Sequence, residues 1–435
     1  MFNKLKLFDS DSLKLLHKRV FFSITIFVFV YFISIYRISS IMLFPEIIDD
    51  NISKIKKDIR GNIYDRNGNI VATSIESVSL SINPNEIKNK KQLANKLALI
   101  LDLDKSKIEK KLLSTNNFVW IKRNISPIEY QKIINLGEIN IKSHTESKRI
   151  YPYKNILSHI VGYVDVDQIG QSGIERHFQD KLSKSQDISI SIDVNLQQMV
   201  RENLSKTINN YNADSGIAIV MDINSGQILS SISLPDYNPE NKLSFNQNNL
   251  INRVLQSNFE MGSTFKPITA TMGIDFGIID PKMTFDVKKK YLNIGDHDKY
   301  KGNGIYDIEK IIVESSNIGT AQIATLIGRE NQINFFKKIG FYKKVDIEID
   351  EAASPLGNKN NWGKVETATI GFGHGFAITP LHLVKAYATL SNKGNEVFPT
   401  LQLDKQFKKK QTLINEESSK YFISLLNSVV LKTEY

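Results

Sequence analysis

Ser263 and Lys266 stand three residues apart in the stretch Met261-Gly262-Ser263-Thr264-Phe265-Lys266-Pro267, just ahead of an apolar helical pattern at Ile268, Ala270 and Met272. Residues i and i+3 of a helix share a face, so this spacing predicts a hydroxyl and an amine within hydrogen-bond reach. A serine hydroxyl is a poor nucleophile until a base removes its proton. A lysine serves as that base when burial or a neighbouring cation lowers its pKa. A helix N-terminus adds partial positive charge that favours a developing alkoxide. The S-x-x-K pattern is short, and Ser53-Lys54-Ile55-Lys56 matches it too, in a basic stretch that reads as solvated. The Ser263 copy therefore has to be judged by its company.

That company includes Val313-Glu314-Ser315-Ser316-Asn317-Ile318-Gly319-Thr320, about 50 residues further on. S-x-N is also short, and it recurs at Ser81-Ile82-Asn83 and Ser244-Phe245-Asn246 without promising context. A second hydroxyl and an amide nevertheless suit acyl transfer by serine. The Ser315 hydroxyl can relay a proton to a leaving amine, and the Asn317 amide can hold the catalytic lysine and a substrate peptide group. His374, within the sequence GFGHG, would permit a Ser-His reading, but Ser263 already has Lys266 nearby. Glycines 371, 373 and 375 read as close backbone packing.

Other chemistry is excluded. The absence of cysteine rules out disulfides, thiolate metal sites and a cysteine nucleophile. Neither a G-x-x-x-x-G-K-[ST] loop nor a G-x-G-x-x-G fingerprint is present. Asp165-Val166-Asp167-Gln168-Ile169-Gly170 resembles the start of a calcium loop but has Ile at its fifth position and Arg176 at its twelfth, so it reads as a turn. The formal net charge of +10 is dispersed. It fits an anionic membrane surface or a carboxylate-bearing substrate better than nucleic acid.

The 435 residues, 41% hydrophobic and 23% charged, have the composition of a folded chain of two or three domains. A basic flank (Lys4, Lys6, Lys14, Lys18, Arg19) precedes the uncharged run Val20 to Tyr36, and an apolar stretch continues past Arg37 to Phe44. Residues 20–44 are read as an uncleaved transmembrane anchor with Arg37 snorkelling, residues 1–19 as a cytoplasmic tail, and everything beyond as outside the cytoplasm. Residues 60–72 read as a hairpin around an Asn-Gly turn. Helical periodicity follows at Leu93, Leu97, Ile100, Ile108 and Leu112, and 118–121 reads as a buried strand. After a polar linker at 181–187, Leu196, Met199, Val200, Leu204, Ile208 and Tyr211 mark a helix face, and 216–233 a hairpin with an Asn224-Ser225-Gly226 turn. The expected fold is α+β, with helices packed on an antiparallel sheet.

Taken together, the motifs resemble those of class B penicillin-binding proteins, which are peptidoglycan D,D-transpeptidases. The resemblance runs over nearly the whole chain: the single anchor, RGNIYDRNGNIVA, RIYP, HIVGYV, GQSGIE, NRVLQSNFEMGSTFKP, ESSNIGT and GFGHGFAITPLHLVKAYATL. The segment through Phe259-Glu260-Met261 is closer to the division (septal) branch than to the elongation branch. The resemblance implies a pedestal (dimerisation) domain over 45–187 and a transpeptidase domain over 188–435. It implies that Ser263 attacks a D-Ala-D-Ala stem peptide to form an acyl-enzyme, that Lys266 is the general base, that Ser315 passes the proton to the departing D-Ala, and that Asn317 holds Lys266 and the acyl amide. β-Lactams would acylate the same serine. No metal or organic cofactor is implied. The implied partners are the membrane, a glycan polymerase and divisome proteins, with the catalytic domain in the periplasm on a single-pass inner-membrane anchor.

One departure stands out. The family's Lys-Thr/Ser-Gly element is missing, since Lys432-Thr433-Glu434 has Glu in place of Gly and is followed by Tyr435. The expectation is a chain truncated before that motif. Losing one oxyanion-hole donor costs about 10²–10³ in rate, so the chain as it stands is expected to be impaired. An elongation-type transpeptidase, a D,D-carboxypeptidase or β-lactamase-like hydrolase, and an inactive divisome scaffold are the alternatives left open.

Overall fold

The structure, a computed structural model, describes residues 10–43, 59–297, 304–355, 362–405 and 411–432. Ser53-Lys54-Ile55-Lys56, the flanking Lys4 and Lys6, and residues 433–435 lie outside the described residues. The chain divides into two units, 1–59 and 60–435.

In the first unit, helix α1 spans Ser10–Leu43. Its segment His17–Ser39 is 23 residues long with a mean hydropathy of 2.0, long and apolar enough to cross a membrane. The helix begins before the apolar run and continues unbroken past Arg37. Ser23, Thr25 and Ser34 return their hydroxyls to carbonyls four residues back, which satisfies their polar groups within the helix.

The second unit opens with the predicted hairpin. Strand β1 (Ile63–Tyr64) pairs antiparallel with the start of β2 (Ile70–Ile82). Asp65 makes the turn, its Oδ1 accepting from the backbone N–H of Asn67 and Asn69 at 2.9 and 2.8 Å. Asp165 builds the same kind of turn, accepting from Asp167 N–H and Ile169 N–H; the would-be calcium carboxylate is occupied by backbone donors. β2 continues between β3 (Val119–Ile125) and β4 (Ile141–Ile150), both antiparallel to it, while β5 (Ile188–Ser189) lies parallel to β1. One face of this sheet, Leu80, Ile82, Ile121 and Ile125, packs on Leu93, Leu97 and Leu101 of α2 (Lys90–Leu101) and on Ile108 and Leu112 of α3 (Lys105–Leu112). The other face is lined with side chains such as Ser79, Ser81, His144 and Glu146. Strand alternation therefore corrects the expectation for 118–121: Ile121 is buried, but Trp120 points to the polar face and Phe118 is half exposed.

Three of the sequence motifs meet in one buried cluster. The Arg60 and Arg149 guanidiniums each contact a different oxygen of Glu175 at 2.6 Å, and all three residues are buried. Arg60 also donates to the Gln168 and Glu175 carbonyls, Arg149 to that of Gly61. Tyr151 donates its hydroxyl to Glu175 and accepts from Val164 N–H.

Beyond residue 187, α4 (Val194–Tyr211) lies on the hairpin of β6 (Gly216–Met221) and β7 (Ile228–Leu234). The expected face holds at Leu196, Val200, Leu204 and Ile208, which are half-buried, whereas Met199 and Tyr211 are exposed and Gln197 is buried with Val194. The Gln197 amide donates to the Ile156 and Ser231 carbonyls and accepts from Ser230 Oγ and Ser231 N–H. A fully satisfied amide can be buried at little cost, and apolar counting does not find it. The helical core centres on α5 (Lys266–Asp275), whose residues 266–273 are all buried. Helices α6 (Ile308–Val313), α7 (Asn317–Ile327), α8 (Arg329–Ile339), α9 (Lys364–Gly371), α10 (Pro380–Ser391) and α11 (Glu416–Lys432) complete this part of the fold, and α5 packs directly on α6, α7 and α11. The whole is α+β.

Candidate active site

The Ser263 turn is held from three sides. Upstream, β8 (Phe259–Glu260) pairs with a two-residue strand at Ala377–Ile378. Gly262, at φ +56°, donates its N–H to the Gly373 carbonyl at 3.1 Å. A Cβ on Gly373 would lie 2.2 Å from the Gly262 carbonyl oxygen, so only glycine allows that approach. Gly371 is equally confined, its Cβ position lying 2.4 Å from Ala324, whereas Gly375 has room and instead serves a positive φ of +85°. Downstream, Phe265 is fully buried against Phe336, Phe341 and Phe376. From the side, Tyr387 of α10 donates its hydroxyl to the Thr264 carbonyl at 2.7 Å.

Residues 262–265 form a 3₁₀ turn that runs into α5 at Lys266. Positions i and i+3 of a 3₁₀ turn eclipse one another, so Ser263 and Lys266 lie on one side. Ser263 stays exposed while Lys266 is only 1% exposed. Their contact is not the direct one predicted. The Lys266 ammonium donates to the carbonyl of Ser315 and, at 2.9 Å, to its hydroxyl. The Ser315 hydroxyl in turn donates to Ser263 Oγ at 3.1 Å. The three side chains thus form one continuous chain, with Ser315 in the middle. Burial pulls the Lys266 amine down to about 8 from its ordinary 10.5, the Asp296 carboxylate opposing part of the fall.

Ser315 can occupy the middle because its backbone sits in the left-handed region, φ +52°, a conformation that costs a non-glycine residue of order 1 kcal/mol and recurs at functional sites. The next turn holds it there. Ser316 caps α7, accepting from Gly319 N–H at 3.0 Å. Asp296 accepts from the N–H groups of Asn317 and Ile318, at 2.5 and 3.0 Å, and from Ser316 Oγ at 2.8 Å. A carboxylate suits a helix N-terminus. Asp296 therefore both fixes Ser315 and lends charge to Lys266; it sits in a loop, and no spacing in the sequence signals it.

Asn317 is adjacent but turned elsewhere. Its side-chain amide donates to the Gly295 carbonyl at 3.4 Å, and among the described residues no hydrogen bond joins it to Lys266. The lysine is held by Ser315 instead. His374 is not hydrogen-bonded to Ser263; its Nδ1 lies 2.7 Å from Glu260 Oε2. Lys432 ends α11, in an ion pair with Glu309 at 2.5 Å, and so occupies a helix and not a strand. Beside Thr264, an apolar cleft of about 500 Å³ opens between β6 (Ile219, Met221) and α10 (Leu383, Tyr387).

A buried amine of lowered pKa, joined through a second hydroxyl to an exposed serine at the head of a helix, has the parts of a serine acyl-transfer site in which a lysine serves the nucleophile. Comparison with known proteins agrees with that class. Residues 216–434 match the penicillin binding protein transpeptidase domain, and residues 56–216 the penicillin-binding protein dimerisation domain. The chain belongs to the penicillin-binding proteins, with the domain order of class B. It is 29% identical over 343 residues to the probable peptidoglycan D,D-transpeptidase FtsI of Caulobacter vibrioides, covering 77% of this chain and 58% of that protein. It is 26% identical over 381 residues to the peptidoglycan D,D-transpeptidase FtsI of Escherichia coli K12, covering 77% and 63%, and 30% identical over 377 residues to that of Buchnera aphidicola, covering 77% and 65%. The chain thus spans about three fifths of the length of these relatives. Among solved structures, a peptidoglycan synthetase from Bifidobacterium adolescentis shares the fold, with a TM-score of 0.66 at 21% identity over 86% of this chain and 81% of that one.

Proposed function

We propose that this chain is a serine D,D-transpeptidase of peptidoglycan, acting in division. Ser263 attacks the carbonyl of a D-Ala-D-Ala stem peptide, its proton passing through the Ser315 hydroxyl to the neutral Lys266 amine. The proton then returns through Ser315 to the departing D-Ala, leaving an ester on Ser263 that a second stem's amine resolves into a cross-link. Asn317, one residue into α7, is placed to receive the acyl amide when substrate displaces its bond to Gly295. β-Lactams are captured as the same ester. The observation that carries this reading is the unbroken Lys266–Ser315–Ser263 chain, and the names of the FtsI relatives support the septal role. In this reading residues 45–187 are the pedestal, 188–435 the transpeptidase domain, and α1 anchors both to the inner membrane with the catalytic domain in the periplasm, beside a glycan polymerase and divisome proteins.

Labelling with fluorescent penicillin tests it. Ser263 should carry the label, and Ser263→Ala should abolish it; labelling that survives this substitution overturns the assignment.

A further inference from the structure

The Lys266–Ser315 relay manages the proton of Ser263 and that of the first leaving group. It leaves a second problem open. The acceptor that resolves the ester is an amine, and at neutral pH an alkyl amine is a protonated, non-nucleophilic ammonium. We propose that His374 and Glu260 form the acceptor station of the site: Glu260 attracts the acceptor ammonium and positions His374, and His374 takes its proton. This rests on the reading of Ser263 as the acyl carrier.

The backbone brings the pair to the nucleophile. Glu260 lies three residues before Ser263 on β8, paired in register with Ala377. His374 lies on the loop that returns to that strand, and its neighbour Gly373 accepts the N–H of Gly262. Two glycines with φ of +80° and +85° flank His374, so the loop lifts this side chain out of the packed core. It is 67% exposed and Glu260 46%, and Ser263, three residues on from Glu260, is exposed as well. The Asp296 carboxylate, at the head of α7, is saturated by three donors. The 2.7 Å contact between Nδ1 and Glu260 Oε2 places the Nδ1 proton on the carboxylate side, so that Nε2 presents its lone pair to solvent. A carboxylate that orients an imidazole in this way makes the opposite nitrogen a base.

The step balances. The acceptor ammonium gives one proton to Nε2, and the imidazolium later releases it to solvent. The free amine attacks the ester carbon. As the N–C bond forms and the C–Oγ bond breaks, the second amine proton travels through Lys266 and Ser315 to Ser263 Oγ. His374 touches the acceptor; Glu260 acts partly through His374 and is a positioning residue.

The test uses the full-length protein, acylated by a thioester donor, with two acceptors compared on each preparation. D-Alanine offers an ammonium that must lose a proton; hydroxylamine is already neutral at pH 7 and needs no such base. In His374→Gln the ratio of D-alanine transfer to hydroxylamine transfer should fall about 10²-fold. Glu260→Gln, which leaves the loop glycines untouched, should lower the ratio about tenfold. A ratio unchanged in both variants, or equal losses with the two acceptors, overturns the proposal. Failure of the unsubstituted protein to form any acyl-enzyme counts instead against the Ser263 reading.

Discussion

In the proposed reaction, Lys266 sets the pH behaviour of the site. Only the neutral amine can accept the Ser263 proton, and the lowering of its pKa to about 8 leaves roughly one amine in ten neutral at pH 7, against about one in three thousand at the ordinary value. The acylation rate should therefore rise with pH and level off above about 8, as read by the rate of penicillin labelling. Lys266→Arg keeps the charge but cannot supply a base, and acylation should fall about 10²–10⁴-fold. Asp296 raises the lysine's pKa, so Asp296→Asn should move the midpoint to lower pH. That Ser263 and Lys266 lie on one side of a turn was legible from their spacing. That Ser315 joins them was not, because a bond between residues 49 and 52 positions apart in sequence leaves no local trace.

At the scale of elements, the site is a junction of two turns, each held by something remote. The 3₁₀ turn of Ser263 rests on Gly373, where a Cβ would fall 2.2 Å from the Gly262 carbonyl oxygen. Gly373→Ala must displace that turn, and a misplacement near 1 Å costs about 10² in rate. Penicillin labelling of this variant should slow by that order while its circular dichroism stays unchanged. The Ser315 turn rests on the cap of α7. Ser316→Ala removes the acceptor for Gly319 N–H and one partner of Asp296, and should cost about 1 kcal/mol in a urea titration. Helix existence followed from periodicity for α2, α3 and α5. For α4 the half-buried positions Leu196, Val200, Leu204 and Ile208 followed as well, but the burial of Gln197 did not, because an apolar count passes over an amide whose bonds are all made.

Across the whole of residues 60–435, three motifs far apart in the chain converge on Glu175. It bridges two buried guanidiniums, one on each carboxylate oxygen: Arg60 from the opening hairpin and Arg149 from the end of β4. Removing one member of a buried ionic cluster strands the others, typically at about 3–5 kcal/mol. Glu175→Ala should show that loss in the urea midpoint. Penicillin labelling at low temperature, where the protein remains folded, should persist, since the cluster shares no hydrogen bond with the Ser263 relay among the described residues.

Composition, motif order and periodicity by themselves determined the α+β class, the apolar N-terminal helix, the hairpins and the placing of Ser263 and Lys266 on one side of a turn. These depend on residues near one another in the chain, whose hydrogen bonds and burial patterns repeat at short range. The tertiary structure alone decided that Ser315 bridges Ser263 and Lys266, that Asp296 secures it, that the Asn317 amide donates to Gly295, and that His374 faces Glu260. Each of these follows from side chains brought together by packing across tens of residues, where spacing along the chain carries no geometric information.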